Sequence, residues 1–272
     1  MLDFGISGRK ALICASSRGL GYGCAEALAK CGARLILNAR DEEKLRIAGD
    51  SLRRKTGAQI ECIAADITTE EGRNAVLEKA GSVDILVNNA GGPPKGHFKD
   101  WKRDDWITAI DQNMLTSIEM IKAVIDSMVM NKFGRIVNIT SGSVKSPIPE
   151  LGLSNGARSG LTGFVAGIAR EYAQYNVTIN NLLPGQFNTA RIENLIESRA
   201  KEEGIAPQKL RASFERENPS RRLGEIVEFG FACAWICSAH SGYLVGQNIL
   251  LDGGCLLYTS PSPRDRQKSR MP

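Results

Sequence analysis

Seven short apolar runs, at 11–14, 35–37, 60–64, 85–87, 136–139, 177–182 and 249–251, recur along the chain with longer helical patterns between them. Each is too short for a buried helix and rich in Ile, Leu and Val, so each reads as a strand. The apolar character hardly alternates within a run, which means that both faces of the sheet are covered. Strands separated by helices pair in parallel through βαβ crossovers. The stretches 21–30, 106–130 and 161–172 have the periodicity of the covering helices. This pattern predicts one α/β domain over 1–254: a doubly wound parallel sheet in three layers with about seven strands.

Composition agrees with a single globular unit. The 272 residues are 42% hydrophobic and 24% charged, and no Pro/Gly/Ser-rich linker divides them. The longest apolar runs are far too short to cross a bilayer and no signal-like segment opens the chain, so a cytoplasmic protein is expected, without membrane partners. Seven cysteines lie scattered among apolar residues, as reduced thiols do in a reducing compartment. Cys233 and Cys237 would share a helix face, but without a second ligand pair they imply no metal site.

From Cys255 the text changes to CLLYTSPSPRDRQKSRMP, which has no strand or helix periodicity. It resembles a translated transposase-type sequencing adapter, and 255–272 is expected to be non-native and disordered. Its net +3 accounts for most of the formal +5, leaving +2, so the basicity argues for no nucleic-acid partner.

The first run leads into Ala15-Ser16-Ser17-Arg18-Gly19-Leu20-Gly21 and then a helix expected to begin near Leu20. Glycines in such a turn let backbone N–H groups approach a pyrophosphate, which the helix N-terminus also attracts. A glycine turn alone could equally serve packing.

Further segments carry a resemblance. Asp66-Ile67, Asn88-Asn89-Ala90-Gly91, Asn113, Ser141 and Asn181-Leu182-Leu183-Pro184-Gly185 with Thr189 stand in the order and spacing of the short-chain dehydrogenase/reductase family. The chain resembles that family from about Gly8 to Gly254, and is most like its 3-oxoacyl-carrier-protein-reductase members. The resemblance implies a Rossmann-type fold holding a nicotinamide dinucleotide. The family's TGxxxGxG turn falls on Cys14 to Gly21, with Ala15 in place of the first glycine. By resemblance, Ala15, Ser17, Arg18, Gly19, Leu20 and Gly21 hold the phosphates, Asp66 and Ile67 the adenine, and Pro184, Gly185 and Thr189 the nicotinamide, while Asn89, Ala90 and Gly91 belong to the family's cofactor-binding NNAG signature. Where NAD-preferring relatives end the second strand in an acid, this chain has Ala39 and then Arg40. A 2′-phosphate wants a guanidinium, so Arg18 and Arg40 favour NADP(H) over NAD(H). The other reading of Arg40 is a solvated cation paired with Asp41 or Glu42.

The resemblance also exposes a departure. Counting thirteen residues from Ser141 to the family's YxxxK pair arrives at Ser154 and Arg158. The i, i+4 spacing keeps both on one helix face, while a phenol and an amine are replaced by a poorer acid and a fixed cation. Asn113 and Ser141 would position the substrate oxygen and Arg158 the ribose. Lys145, in the loop after Ser141, is a further candidate for the proton-transfer step, and His97 could rim the pocket. Tyr172 and Tyr175 lie too far along the same helix.

The charge-rich segment between Thr189 and Glu225 stands where the family carries its substrate lid. The helices at 106–130 and 161–172 match those that pair subunits, implying a homodimer or homotetramer. The expected function is NADP(H)-dependent oxidation or reduction of a small alcohol or carbonyl with an atypical active site. The competing reading is a dinucleotide sensor without turnover.

Overall fold

Every one of the seven apolar runs forms a strand in the computed structural model, which describes residues 3–256. The strands are β1 (Lys10–Ile13), β2 (Arg34–Ala39), β3 (Ile60–Ala64), β4 (Ile85–Asn88), β5 (Gly134–Ile139), β6 (Val177–Pro184) and β7 (Asn248–Leu251). All pair in parallel in the order β3-β2-β1-β4-β5-β6-β7. Between them run α1 (Gly19–Lys30), α2 (Glu42–Thr56), α3 (Glu70–Ala80), α4 (Arg103–Ile110), α5 (Thr116–Met130), α6 (Gly152–Ala173), α7 (Ala190–Glu203), α8 (Pro207–Glu217) and α9 (Ile226–Ile236). The strand order reverses between β1 and β4, and in such sheets ligands bind outside the carboxyl ends of the strands at that switch point.

Neighbouring strand residues point into different cores. Ile13, Val87 and Val137 pack with Leu28 of α1 and Phe229 of α9 on one face. Leu12, Leu86 and Ile136 pack with Met120 of α5 and Val165 of α6 on the other. This explains why the strands read as unbroken apolar runs. Near the site end of the sheet a polar rung crosses four strands. Asn88 donates to Asn138 (2.9 Å), Asn138 to Asn181 (3.0 Å) and Asn181 to Asn248 (2.8 Å), each pair directly opposite in register. The ladder ties β4, β5, β6 and β7 together where an apolar core would leave the strand ends free to slide.

One helical expectation is modified. The stretch 106–130 is divided by a π-helical turn, Asp111–Leu115, between α4 and α5. That turn buries Asn113 while Ile110 and Leu115 face outward, an inversion that simple helical periodicity cannot register. The expected lid is a helical pair, α7 and α8, joined by its own small cluster of Ile196, Ala200 and Leu210.

Cys24, Cys233 and Cys237 are buried free thiols, and burial pushes Cys14 up to about 12, so these are inert packing residues. Among the described residues no group of His, Cys, Asp and Glu could hold a metal, and no helix is long and apolar enough to cross a membrane. The expectation for 255–272 falls almost wholly outside the described residues.

Candidate active site

The β1–α1 turn is built by close backbone approach. A side chain at Gly21 would collide with the Ala15 carbonyl and lie 2.9 Å from the Asn89 amide, which itself donates to that carbonyl (3.3 Å). Ala15 takes a left-handed conformation, φ +47°, where the family pattern has glycine. Ser16 is buried and donates to the Ile13 carbonyl (2.9 Å), whereas Ser17, Gly19 and Leu20 are half-buried and Arg18 is exposed. The first turn of α1 has no acidic residue and no side-chain cap, so its N–H groups are free for an anion.

Thr189 lies across from this turn, its methyl 3.8 Å from the Cβ position of Gly19. Gly142, in the short 3₁₀ turn after Ser141, approaches the Pro184 carbonyl. Gly185 donates to Leu251 (2.7 Å) and presses on Asp252, which fixes the end of β6. Asn89, Ala90, Pro184, Gly185, Thr189 and Ser141 are therefore gathered at the carboxyl ends of β1, β4, β5 and β6; Gly91 is exposed beside them.

At the end of β2, Arg40 does not pair with Asp41 or Glu42. Asp41 caps α2 through Lys44 N–H (2.9 Å) and pairs with the Lys44 ammonium. Arg40 instead reaches Asp66, 3.8 Å away, and remains exposed. Asp66 accepts from the backbone and hydroxyl of Thr68 (3.0 and 2.8 Å), and Ile67 is buried in the core beneath.

Ser154 and Arg158 occupy one face of α6, both buried. The Arg158 guanidinium donates to the Ile139 carbonyl (2.7 Å) and reaches the Ala90 carbonyl (3.5 Å), which places it at the ends of β5 and β4. Its pKa is lowered to about 10 by burial and by the charge of Arg191, so it stays protonated at neutral pH. The Ser141 hydroxyl accepts from the backbone and hydroxyl of Ser143 (3.1 and 2.9 Å). Against α6 packs the π turn that buries Asn113. Both polar side-chain atoms of Asn113, the Asn88 side-chain oxygen and the Thr140 hydroxyl are buried without a partner among the described residues, as are the side-chain oxygens of Asn155, Thr178 and Ser238. Asn88 and Thr140 stand at the ends of β4 and β5, where unmet hydrogen-bonding capacity fits a polar ligand. The uncapped N–H groups of the Gly19–Gly21 turn and the buried guanidinium of Arg158 are groups that could hold the phosphates and a ribose of a dinucleotide.

Lys145 and His97 are not drawn inward. Lys145 is exposed at the end of the turn after Ser141, and His97 is exposed beside Phe98. Arg191, by contrast, returns from the start of α7 to Gly92, with its Nη2 2.6 Å and Cζ 2.8 Å from the position a Cβ would take. Within the charge-rich 189–225 segment Arg191 looks like any other cation; the only sequence signal is the second glycine after Ala90, which leaves room for it.

Comparison with known proteins gives a consistent picture. A family model described as enoyl-(acyl carrier protein) reductase matches residues 14–256. The chain is 31% identical over 256 residues to 2,3-dihydroxy-2,3-dihydro-p-cumate dehydrogenase of Pseudomonas putida, covering 92% of this chain and 95% of that one. It is 31% identical to the 3-oxoacyl-[acyl-carrier-protein] reductase FabG of Vibrio cholerae, covering 92% and 98%. In structure it is similar to L-sorbose reductase from Gluconobacter frateurii, solved with NADPH and L-sorbose, at a TM-score of 0.90 and 29% identity over 94% of this chain and 99% of that one.

Proposed function

The chain belongs to the short-chain dehydrogenase/reductase family and is an oxidoreductase, and from that premise we propose that it uses NADP(H) to interconvert a small carbonyl and its alcohol through an active site with Ser154 and Arg158 in place of the usual tyrosine and lysine. The observation that carries the cofactor choice is at the end of β2: Asp41 is committed to capping α2, while Arg40 stands exposed beside Asp66 and Arg18 opens α1 across the crevice. Both guanidiniums suit a 2′-phosphate.

A bound nicotinamide would supply the hydride chemistry. Asn113 and Ser141 hold the substrate oxygen, using hydrogen-bonding groups otherwise unmet or shared only with Ser143. Arg158 binds the nicotinamide ribose and maintains a positive field toward the developing oxyanion. Ser154, one helical turn before it, relays the proton with water; Lys145 reaches the site only by movement of its exposed loop. Losing a matched general acid costs about 10²- to 10⁴-fold, or roughly 3–5 kcal/mol of barrier, so slow turnover is expected. The replacement of the phenol favours one other reading, a sensor that binds NADPH without turnover. The similarity to L-sorbose reductase, solved with NADPH, supports the cofactor, and exposed apolar residues on α4 and α5 support a homodimer or homotetramer.

The deciding measurement is binding of NADPH and NADH, with NADPH oxidation followed against a panel of ketones, quinones and β-ketoacyl thioesters. The proposal expects tighter NADPH binding that Arg40→Ala weakens, and turnover that Ser141→Ala and Ser154→Ala remove. Binding without turnover on any carbonyl selects the sensor, and preference for NADH refutes the assignment of Arg18 and Arg40.

A further inference from the structure

Arg158 is a buried cation with no counter-charge among the described residues. No carboxylate of these lies within ion-pair distance of it, and its acceptors are two backbone carbonyls, of Ile139 (2.7 Å) and Ala90 (3.5 Å). The other buried arginine shows what a self-sufficient guanidinium looks like. Arg135 donates to the carbonyls of Ser238 (2.9 Å), Gly134 and Asn176 (both 2.8 Å) and to the Asn176 side chain (3.1 Å), and it stacks on Phe133. A guanidinium has five N–H donors, and most of those on Arg158 remain uncommitted.

Two more cations stand above it. Arg191 lies against Gly92, and three residues beyond that glycine is Lys95. Both are exposed at the mouth, and neither forms an ion pair among the described residues. Burial first, and then the charge of Arg191, lowers the pKa of both Arg158 and Lys95. The remaining charges facing this cluster are Glu150, opposing it from the neighbouring loop, and Arg199, which is occupied by Glu203. Glu150 forms no ion pair with either cation among the described residues. Gathering like charges around a buried, unneutralised guanidinium costs stability unless an anion joins them.

We propose that the substrate of this cleft carries a carboxylate that docks between Arg158, Arg191 and Lys95. The inference rests on the reading of the cleft as the redox site and adds the class of substrate. The cofactor phosphates are provided for elsewhere, by the Gly19–Gly21 turn of β1–α1 and Arg40 of β2, whereas Arg158 is anchored on β4 and β5. A planar carboxylate matches the guanidinium fork, and Arg191, at the start of the lid, would close upon it when α7 settles.

The test compares 4-oxocyclohexanecarboxylate with its methyl ester on the full chain, by calorimetry and by tryptophan emission, with and without NADPH. Trp101 packs on Gly96 and Gly152 and Trp106 on Gly156, so both report on this mouth. The acid is expected to bind at least about tenfold more tightly than the ester. Arg191→Gln with Lys95→Gln, which leaves Arg158 in place, cuts the preference by at least about threefold, and Arg54→Gln, on the exposed face of α2, keeps it whole. Parity in the unmodified protein, no binding of the acid, or a preference undiminished by the double substitution overturns the proposal. NADPH binding is read separately: its absence defeats the cofactor assignment, while the acid–ester contrast in cofactor-free protein still decides the carboxylate site.

Discussion

Ala15 occupies left-handed backbone at φ +47°, a conformation that disfavours any residue with a Cβ by about 1 kcal/mol or more. Ala15→Gly is therefore expected to raise stability by about 1 kcal/mol, an increase of roughly 2–4 °C in melting temperature, and to leave NADPH binding at least as tight. Calorimetry of the purified variant checks this; an unchanged or lower melting temperature would mean that the turn is not strained. At Arg158 the relevant variable is pH. Its folded pKa of about 10 lies below the ordinary 12.5, so the charged guanidinium opposes folding at neutral pH and that opposition fades as pH rises through about 10. A bound carboxylate relieves the same cost. The preference for acid over ester is thus expected to be flat at neutral pH and to decline through about pH 10, as read by calorimetric titration across the alkaline range. Ser141, Ser154 and Arg158 were picked out in the sequence by the family resemblance; helix geometry added only that Ser154 and Arg158 share a face. Arg191 was not, because its contact with Gly92 spans nearly a hundred residues of chain.

At the scale of elements, the asparagine ladder across β4, β5, β6 and β7 is a chain of buried amides in which each carbonyl depends on the next amide. Asn138→Leu keeps the branched shape but removes the donor from the Asn181 side-chain carbonyl, whereas the Asn88 amide retains its bond to the Ser117 carbonyl (3.3 Å). An orphaned buried group costs about 1–3 kcal/mol, and a loss of that size in urea unfolding is expected. A loss below about 1 kcal/mol would show that the ladder is dispensable. All seven strands were legible as apolar runs because both faces of each are buried. The π turn was not, since one extra residue in a helix leaves no mark on a periodic pattern; only the burial of Asn113 against the exposure of Ile110 and Leu115 reveals it. The asparagines of the ladder were visible individually, yet their alignment depends on strand order and register, which no local window contains.

For the molecule as a whole, α4 and α5 leave Ile107, Ile110, Leu115 and Met130 exposed, and α9 leaves Val227, Phe231 and Trp235 on one outward face. Apolar side chains grouped on helices in this way mark contact surfaces. Ile107→Glu combined with Leu115→Glu is expected to lower the particle mass seen by light scattering to that of a smaller assembly; an unchanged mass would place the subunit contact elsewhere. The α9 stripe escaped the sequence reading because 226–236 is apolar nearly all round, so periodicity does not separate its buried side from its exposed one.

Local chemistry accounts for the class of sheet, the glycine turn, the loss of the phenol–amine pair and the cationic end of β2, because each is encoded by residues close together in the chain. Which cations share a cleft, and which buried arginine has its donors satisfied by carbonyls, depend on long-range packing. Arg135 and Arg158 are the same residue type and both are buried, but one donates to three carbonyls and a side-chain amide while the other keeps most of its donors free beside the charge of Arg191. That difference is made by where strands end and where a distant helix begins, and only the assembled fold brings those points together.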